Sequence, residues 1–211
     1  MRRFVDIREF RYFDKKYVLI VNANDRAWLM VRAAGFQVRP DDNAILTFAY
    51  IDHDAGISFS VMAAAKVYPD GRVAIGLSNQ NTGLLLRQDS FEGRFLPYDE
   101  MEYLIPFERR ADIIRNNYNY GLGVQEVRDM REIDGIRAPG YPDDLMVHFF
   151  KQGVQPEGIW CRVTGTNHEN YHIVGKLINE PYANLGVHSG DTVEFILYNS
   201  DETGVMALKE L

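Results

Sequence analysis

The sequence predicts an α+β protein. An antiparallel sheet with one or two covering helices is expected over residues 1–138, followed by a small β-barrel-like module over residues 139–211. Three observations carry this. Short apolar runs recur between polar turns rich in Gly, Asn, Pro and Asp, which is the signature of strands joined by reversals. Helical spacing is confined to a few stretches, chiefly Arg26–Ala34 and the segment opened by Pro106. Three breakers crowd into Arg137-Ala-Pro-Gly-Tyr-Pro-Asp-Asp144, marking an internal boundary.

In chain order, residues 1–16 interleave basic and acidic side chains with Val5, Ile7, Phe10 and Tyr12, predicting a short solvated edge strand. Tyr17–Val21 is a continuous apolar run and reads as a buried strand. Asn24 or Asp25 can cap a helix over Arg26–Ala34, and Gly35 ends it. Ala44–Ile51 and Ile57–Tyr68 are strands on either side of the turn Asp52-His53-Asp54-Ala55-Gly56. Pro69-Asp70-Gly71 turns the chain again, so that Arg72–Leu77 pairs back. The result is a meander whose apolar face needs a helix against it. Residues 78–98 read as loop around the island Leu84-Leu85-Leu86. Pro106 then opens a helix in which Phe107, Ala111, Ile114 and Tyr118 share a face, with Glu108 and Arg115 placed as the helix dipole prefers. Val124–Ile133 fits neither period and is left open between strand and helix.

The second half offers strands at Leu145–Phe150, Ile159–Val163, Ile173–Ile178 and Thr192–Leu197, with His188-Ser189-Gly190-Asp191 as a compact reversal. Short strands joined by tight turns suit a small barrel or curled sheet, and Trp160 is expected to fill its core.

Composition narrows the functional classes. The chain has 211 residues and a net charge of −7. An acidic balance argues against a nucleic-acid partner, which needs clustered Lys and Arg, and suits a basic protein partner. No apolar run is long enough to predict a membrane span. The lone Cys161 forms no disulfide within the chain, and acids fall early in MRRFVDIREF where a leader needs an apolar core. The bacterial cytoplasm is the simplest compartment. No cofactor is expected. Gly121-Leu122-Gly123 has Glu126 where a dinucleotide fingerprint needs its third glycine, and Gly175-Lys176 lacks the upstream glycine of a phosphate loop.

Several strings imitate catalytic motifs. His168-Glu169-Asn170-Tyr171-His172 fits H-E-x-x-H, whose chemistry requires a helix so that both histidines grip one zinc. Both flanks here read as strands, where positions four apart lie about 13 Å from each other, so an exposed hairpin loop is expected. Asp52-His53-Asp54 reads as a solvated turn. Gly76-Leu77-Ser78-Asn79-Gln80 lacks the last glycine of a nucleophile elbow. Cys161, beside Trp160 in a predicted strand, reads as a buried, inert thiol. Tyr98, Tyr103, Tyr118 and Tyr120 bracket the second helix and either plug its seam with the sheet or rim a binding surface.

Four segments stand together: Tyr141-Pro-Asp-Asp-Leu145, Glu157-Gly-Ile-Trp-Cys-Arg-Val163, Gly175-Lys-Leu-Ile-Asn-Glu-Pro181 and Gly186-Val-His-Ser-Gly-Asp-Thr-Val193. They resemble a small β module of uncharacterised bacterial proteins, some of them similar to immunity proteins of polymorphic toxin systems. The resemblance covers the last third of the chain, and its motifs are structural, so it carries over no catalytic residue. Trp160, Asn179, Glu180 and Asp191 are the candidate binding residues. The expectation is a soluble, non-enzymatic binding protein of immunity type that antagonises a toxin. The alternative is a metal-dependent hydrolase using His168 and His172.

Overall fold

Strand β1 (Lys16–Val21) is buried at every position from Tyr17 onward, and β2 (Ala44–Asp52) and most of β3 (Gly56–Val67) are buried just as continuously. Runs without alternation belong to strands covered on both faces, and here both faces are covered. The computed structural model describes residues 3–77, 82–200 and 204–211. The chain divides into two compact units, Met1–Asn119 and Tyr120–Leu211.

In the first unit, β4 (Val73–Ile75) and β5 (Leu85–Arg87) share the outer edge of β3, and β6 (Arg94–Pro97) pairs with β1. The order is β4-β3-β2-β1-β6 and each pairing is antiparallel. Helix α1 (Asp25–Ala33) covers one face, where its Trp28 and Val31 join Val18, Ile20, Ile45 and Phe59 in one cluster. Asn24 Oδ1 accepts the Ala27 N–H at 3.1 Å, so the cap is Asn24. The other face carries α2 (Met101–Leu104), a 3-10 turn over Ile105–Phe107, and α3 (Glu108–Asn117). Leu104, Phe107, Ala111 and Ile114 meet Leu19, Leu46, Phe48 and Tyr50 there. The expectation of a single apolar face is thus corrected to a sheet between two helical layers.

Two further corrections concern local structure. Residues 3–15 form no strand. Val5 makes one isolated bridge to Phe95, Phe10–Tyr12 is a 3-10 turn, and Phe10 and Phe13 plug the α1-side core. The stretch expected as loop instead contains β5 and β6. Each is only three or four residues long, too short for a periodic signal, and forms because β3 and β1 offer it an unpaired edge. Of the elbow-like string Gly76–Gln80, Ser78, Asn79 and Gln80 lie outside the described residues.

The second unit opens with α4 (Leu122–Asp129), so the stretch left open is mainly helical. β7 (Arg137–Ala138) follows, then β8 (Tyr141–Lys151), β9 (Val154–Asn167), β10 (His172–Leu177), β11 (Thr192–Ser200) and β12 (Gly204–Glu210). Consecutive strands from β8 to β12 pair antiparallel, and β12 then pairs parallel with β8, closing a ring. Closure leaves these strands' paired edges satisfied. The fourteen-residue β9 makes it feasible: its first half pairs with β8 and its second half extends along β10. Leu145, Val147, Phe149, Ile159, Cys161, Val163, Ile173 and Phe195 fill the interior, and Val124 and Val127 of α4 join them.

The breaker-rich stretch lies inside this unit, where Gly140 at φ 77° makes the β7–β8 turn. The chain divides into its compact units about twenty residues before the 138/139 boundary, because α4 packs on β9. Trp160 does not fill the core. It is half-buried on the outer side of β9, since Ile159 and Cys161 point inward and strand neighbours alternate.

Two arginines tie α4 to the ring. Arg128 forks onto Asp143 with bonds of 2.7 and 2.6 Å, both side chains 3% exposed. Arg137 donates to the carbonyls of Pro142 and Val127 at 2.5 Å and of Met130 at 3.2 Å. It thereby satisfies carbonyls that the end of α4 leaves open.

Candidate functional site

The register of β2 and β3 sets Tyr50 opposite Ser58 and Phe48 opposite Ser60. These side chains therefore share the face beneath α3. A bulge between Leu46 and Thr47 on the register brings both Met62 and Ala63 to that same face. Over β1 and β2 the face is filled by Phe107, Ala111 and Ile114. Over β3 it also carries the small side chains of Ser58 and Ser60 beside Met62. The remaining space is a cleft of about 660 Å³, a size that suits a small organic ligand.

Tyr50, Ser60 and Met62 form its floor, residues 82–85 one wall, and Pro106, Phe107, Arg109, Arg110, Ile113, Ile114 and Tyr118 the other. Tyr50 and Tyr118 lie ring against ring at 4.2 Å between centroids, tilted by 42°. Burial raises the Tyr50 phenol pKa above its ordinary value, and a hydrogen bond with Tyr118 adds to the shift. Arg110 reaches across the cleft, and its Nη1 donates to the Thr82 carbonyl at 2.7 Å. Desolvation lowers its pKa, because burial disfavours the charged form. Beside the cleft Arg87 donates to Ser58 Oγ and to Asp52 Oδ2, the latter at 3.2 Å. This fixes the β2–β3 end of the floor. Among the described lining residues there is no Asp or Glu.

The four candidate binding residues read from sequence lie in the second unit. The Trp160 N–H donates to Asn179 Oδ1 at 3.1 Å, which fastens the end of β10 to β9. Glu180 accepts from the Ser189 N–H at 2.8 Å and pairs with His188 Nδ1 at 2.7 Å. Asp191 Oδ2 accepts the His188 N–H at 2.8 Å. Glu180 and Asp191 are thus brought together around His188, while Trp160 and Asn179 form a separate pair. The hydrogen bond with His188 and then the Ser189 N–H hold the Glu180 carboxyl below the usual range, and Glu180 raises His188. These contacts shape the loop from Ile178 to Asp191.

The H-E-x-x-H string is the turn of the β9–β10 hairpin. Asn167 ends one strand, His172 begins the other, and Tyr171 sits at φ 59° between them. His168 Nε2 lies 3.7 Å from Glu126 Oε2, and His172 Nδ1 lies 3.5 Å from Glu194 Oε2. The two histidines face different carboxylates, not one shared point. Among the described residues no three His, Cys, Asp or Glu side chains gather as a metal site. Asp52 Oδ1 accepts the Asp54 and Ala55 N–H groups, as a polar turn does. Burial pushes the Cys161 thiol up to about 12, which suppresses its thiolate.

Sequence reasoning singled out Tyr118 as a seam or rim residue but missed Arg110 and Ser60. The available signal was Ser58-Phe59-Ser60, two small polar residues on one side of an otherwise apolar strand. No described helix is long and apolar enough to cross a membrane. No family model, curated protein or solved structure matches the chain, so its function has to be argued from the side chains of this cleft.

Proposed function

We propose that the protein acts by binding, and that the cleft of the first unit holds a small organic molecule. The observation that carries this is the composition of the cleft. An apolar lining from Met62, Phe107 and Ile114 meets a few convergent polar groups, Ser60, Tyr50, Tyr118 and Arg110. Apolar walls provide affinity, and a few fixed polar groups orient the ligand. The test is a ligand screen read by methyl NMR of Met62, Ile113 and Ile114. A binder should shift these methyls together, and Ser60→Trp, which fills the cleft, should abolish the shifts while the rest of the spectrum stays folded. Ligands that shift only methyls elsewhere would overturn the reading.

A second reading keeps the immunity-type role, engagement of a basic protein. It is supported by the net charge of −7 and by two aromatic side chains of the second unit that stand in solvent, Tyr171 at 89% and Tyr182 at 98% exposure. The closed ring would then be a barrel-like scaffold presenting its turns. Such a complex should weaken with salt and with a Tyr171→Ala, Tyr182→Ala pair, measured by co-purification with the product of a neighbouring gene. The setting proposed for either role is cytoplasmic, in keeping with a single buried thiol. The hydrolase alternative draws no support from a hairpin turn.

A further inference from the structure

We propose that the ligand of this cleft is an organic anion of one negative charge, a carboxylate whose head group binds Arg110 while its apolar body rests on Met62, Phe107 and Ile114. This rests on the small-molecule reading and names its ligand class.

The first support is how five other buried or partly buried arginines are treated. Arg87 pairs with Asp52, Arg115 with Glu108 and Asp112, Arg128 with Asp143, Arg137 with Asp134, and Arg162 with Asp144. All are buried or partly buried, and each has a carboxylate. Arg110 is also partly withdrawn from water, yet its hydrogen bond goes to a neutral acceptor, the Thr82 carbonyl, and no carboxylate pairs with it among the described residues. A guanidinium has five N–H donors in a planar fork that matches a carboxylate. One bond to a carbonyl leaves most of that capacity open. A partly desolvated cation without a counter-charge is costly, and a ligand carboxylate supplies the charge.

The second support is the local field. The chain carries thirty acidic residues against twenty-three basic ones, yet the described lining holds Arg109 and Arg110 and no acid. An electropositive cleft in an acidic protein favours an anion over a cation or a neutral molecule. The hydrogen-bonded Tyr50 and Tyr118 phenols, both lining the cleft, add polar groups without adding charge. With a single partly buried guanidinium, the site suits one charge better than the two of a phosphate monoester. The alternative role for Arg110 is a latch that ties α3 to residue 82.

Two matched probe pairs separate these cases: octanoate with octanamide, and 4-phenylbutanoate with 4-phenylbutanamide. Each is titrated against the full chain by calorimetry and methyl NMR. The carboxylate should bind about tenfold more tightly than its amide in at least one pair. Arg110→Gln should collapse that ratio to about one while the amide's affinity holds, which also shows the variant to be folded. Arg26→Gln, exposed on α1 at the other face of the sheet, should retain the ratio. Equal binding of acid and amide within each pair, with shifts at Met62 and Ile114, would leave the cleft a ligand site but overturn the anion. A ratio that survives Arg110→Gln would make Arg110 a latch. Failure of all four probes to move those methyls would overturn both the anion and the small-molecule reading.

Discussion

Arg128 and Asp143 show how much a single pair contributes once water is excluded. Their forked bond sits with almost none of either side chain exposed, so loss of one partner takes the forked counter-charge from the other in a poor dielectric. Asp143→Asn should lower stability by about 3–5 kcal/mol, read as a fall in urea midpoint at unchanged slope. A loss below about 1 kcal/mol would mean that Arg128 re-pairs or reaches water. Trp160 makes the opposite point. Its large side chain suggests a core residue, but inward-facing Ile159 and Cys161 leave it on the outer side of β9, so truncation should cost less than that of a fully buried tryptophan.

Elements depend on close approach and on local charge. Gly123 of α4 would place a Cβ 2.7 Å from the Thr166 amide nitrogen and 3.0 Å from Gly165 Cα. A methyl group there meets backbone that cannot swing aside, so Gly123→Ala should destabilise the second unit by about 1–3 kcal/mol despite alanine's better helix propensity. Thermal unfolding would register this, and a raised melting temperature would refute the close packing of α4 on β9. The loop from Ile178 to Asp191 carries a pH response through His188 and Glu180. His188 gains a carboxylate on folding, so its pKa lies above the ordinary 6.5 and its contribution fades as pH rises through that raised value. Glu180 lies below the ordinary 4.5, and its contribution fades as pH falls through the lowered value. The pair is therefore fully effective between about 4.5 and 6.5, the ordinary values of the two groups. An NMR titration should place the His188 midpoint above 6.5, and Glu180→Gln should return it toward that value. An unmoved midpoint would remove Glu180 as the cause.

Across the whole molecule, each unit owns its core. Among the described residues, the clusters on the two faces of the first sheet draw on residues up to Tyr118, and the ring's cluster draws on residues from Tyr120 onward. A fragment spanning 120–211 should accordingly fold alone, with dispersed amide resonances and a cooperative melt. A collapsed, undispersed spectrum would show that the ring needs the rest of the chain. The contrast in site chemistry follows the same division. The first unit carries an open cleft with a cation lacking a carboxylate partner among the described residues, while in the second Arg128, Arg137 and Glu180 are engaged by the unit's own groups.

Much of this was legible in the residue order because it depends on near neighbours. The strand cores at Tyr17–Val21, Ala44–Ile51 and Ile57–Tyr68, the capped helix after Asn24, and the hairpin nature of His168–His172 follow from local periodicity and turn chemistry. What the tertiary structure alone decided depends on distant partners. Short strands such as β5 and β6 exist because an edge awaits them, β12 closes the ring by pairing with a strand some sixty residues earlier, and helices cover both faces of the first sheet. The candidate cleft belongs to this second class. Ser60, Thr82, Arg110 and Tyr118 are scattered in sequence, and only the tertiary fold gathers them around an open cleft with a partly desolvated charge at its side.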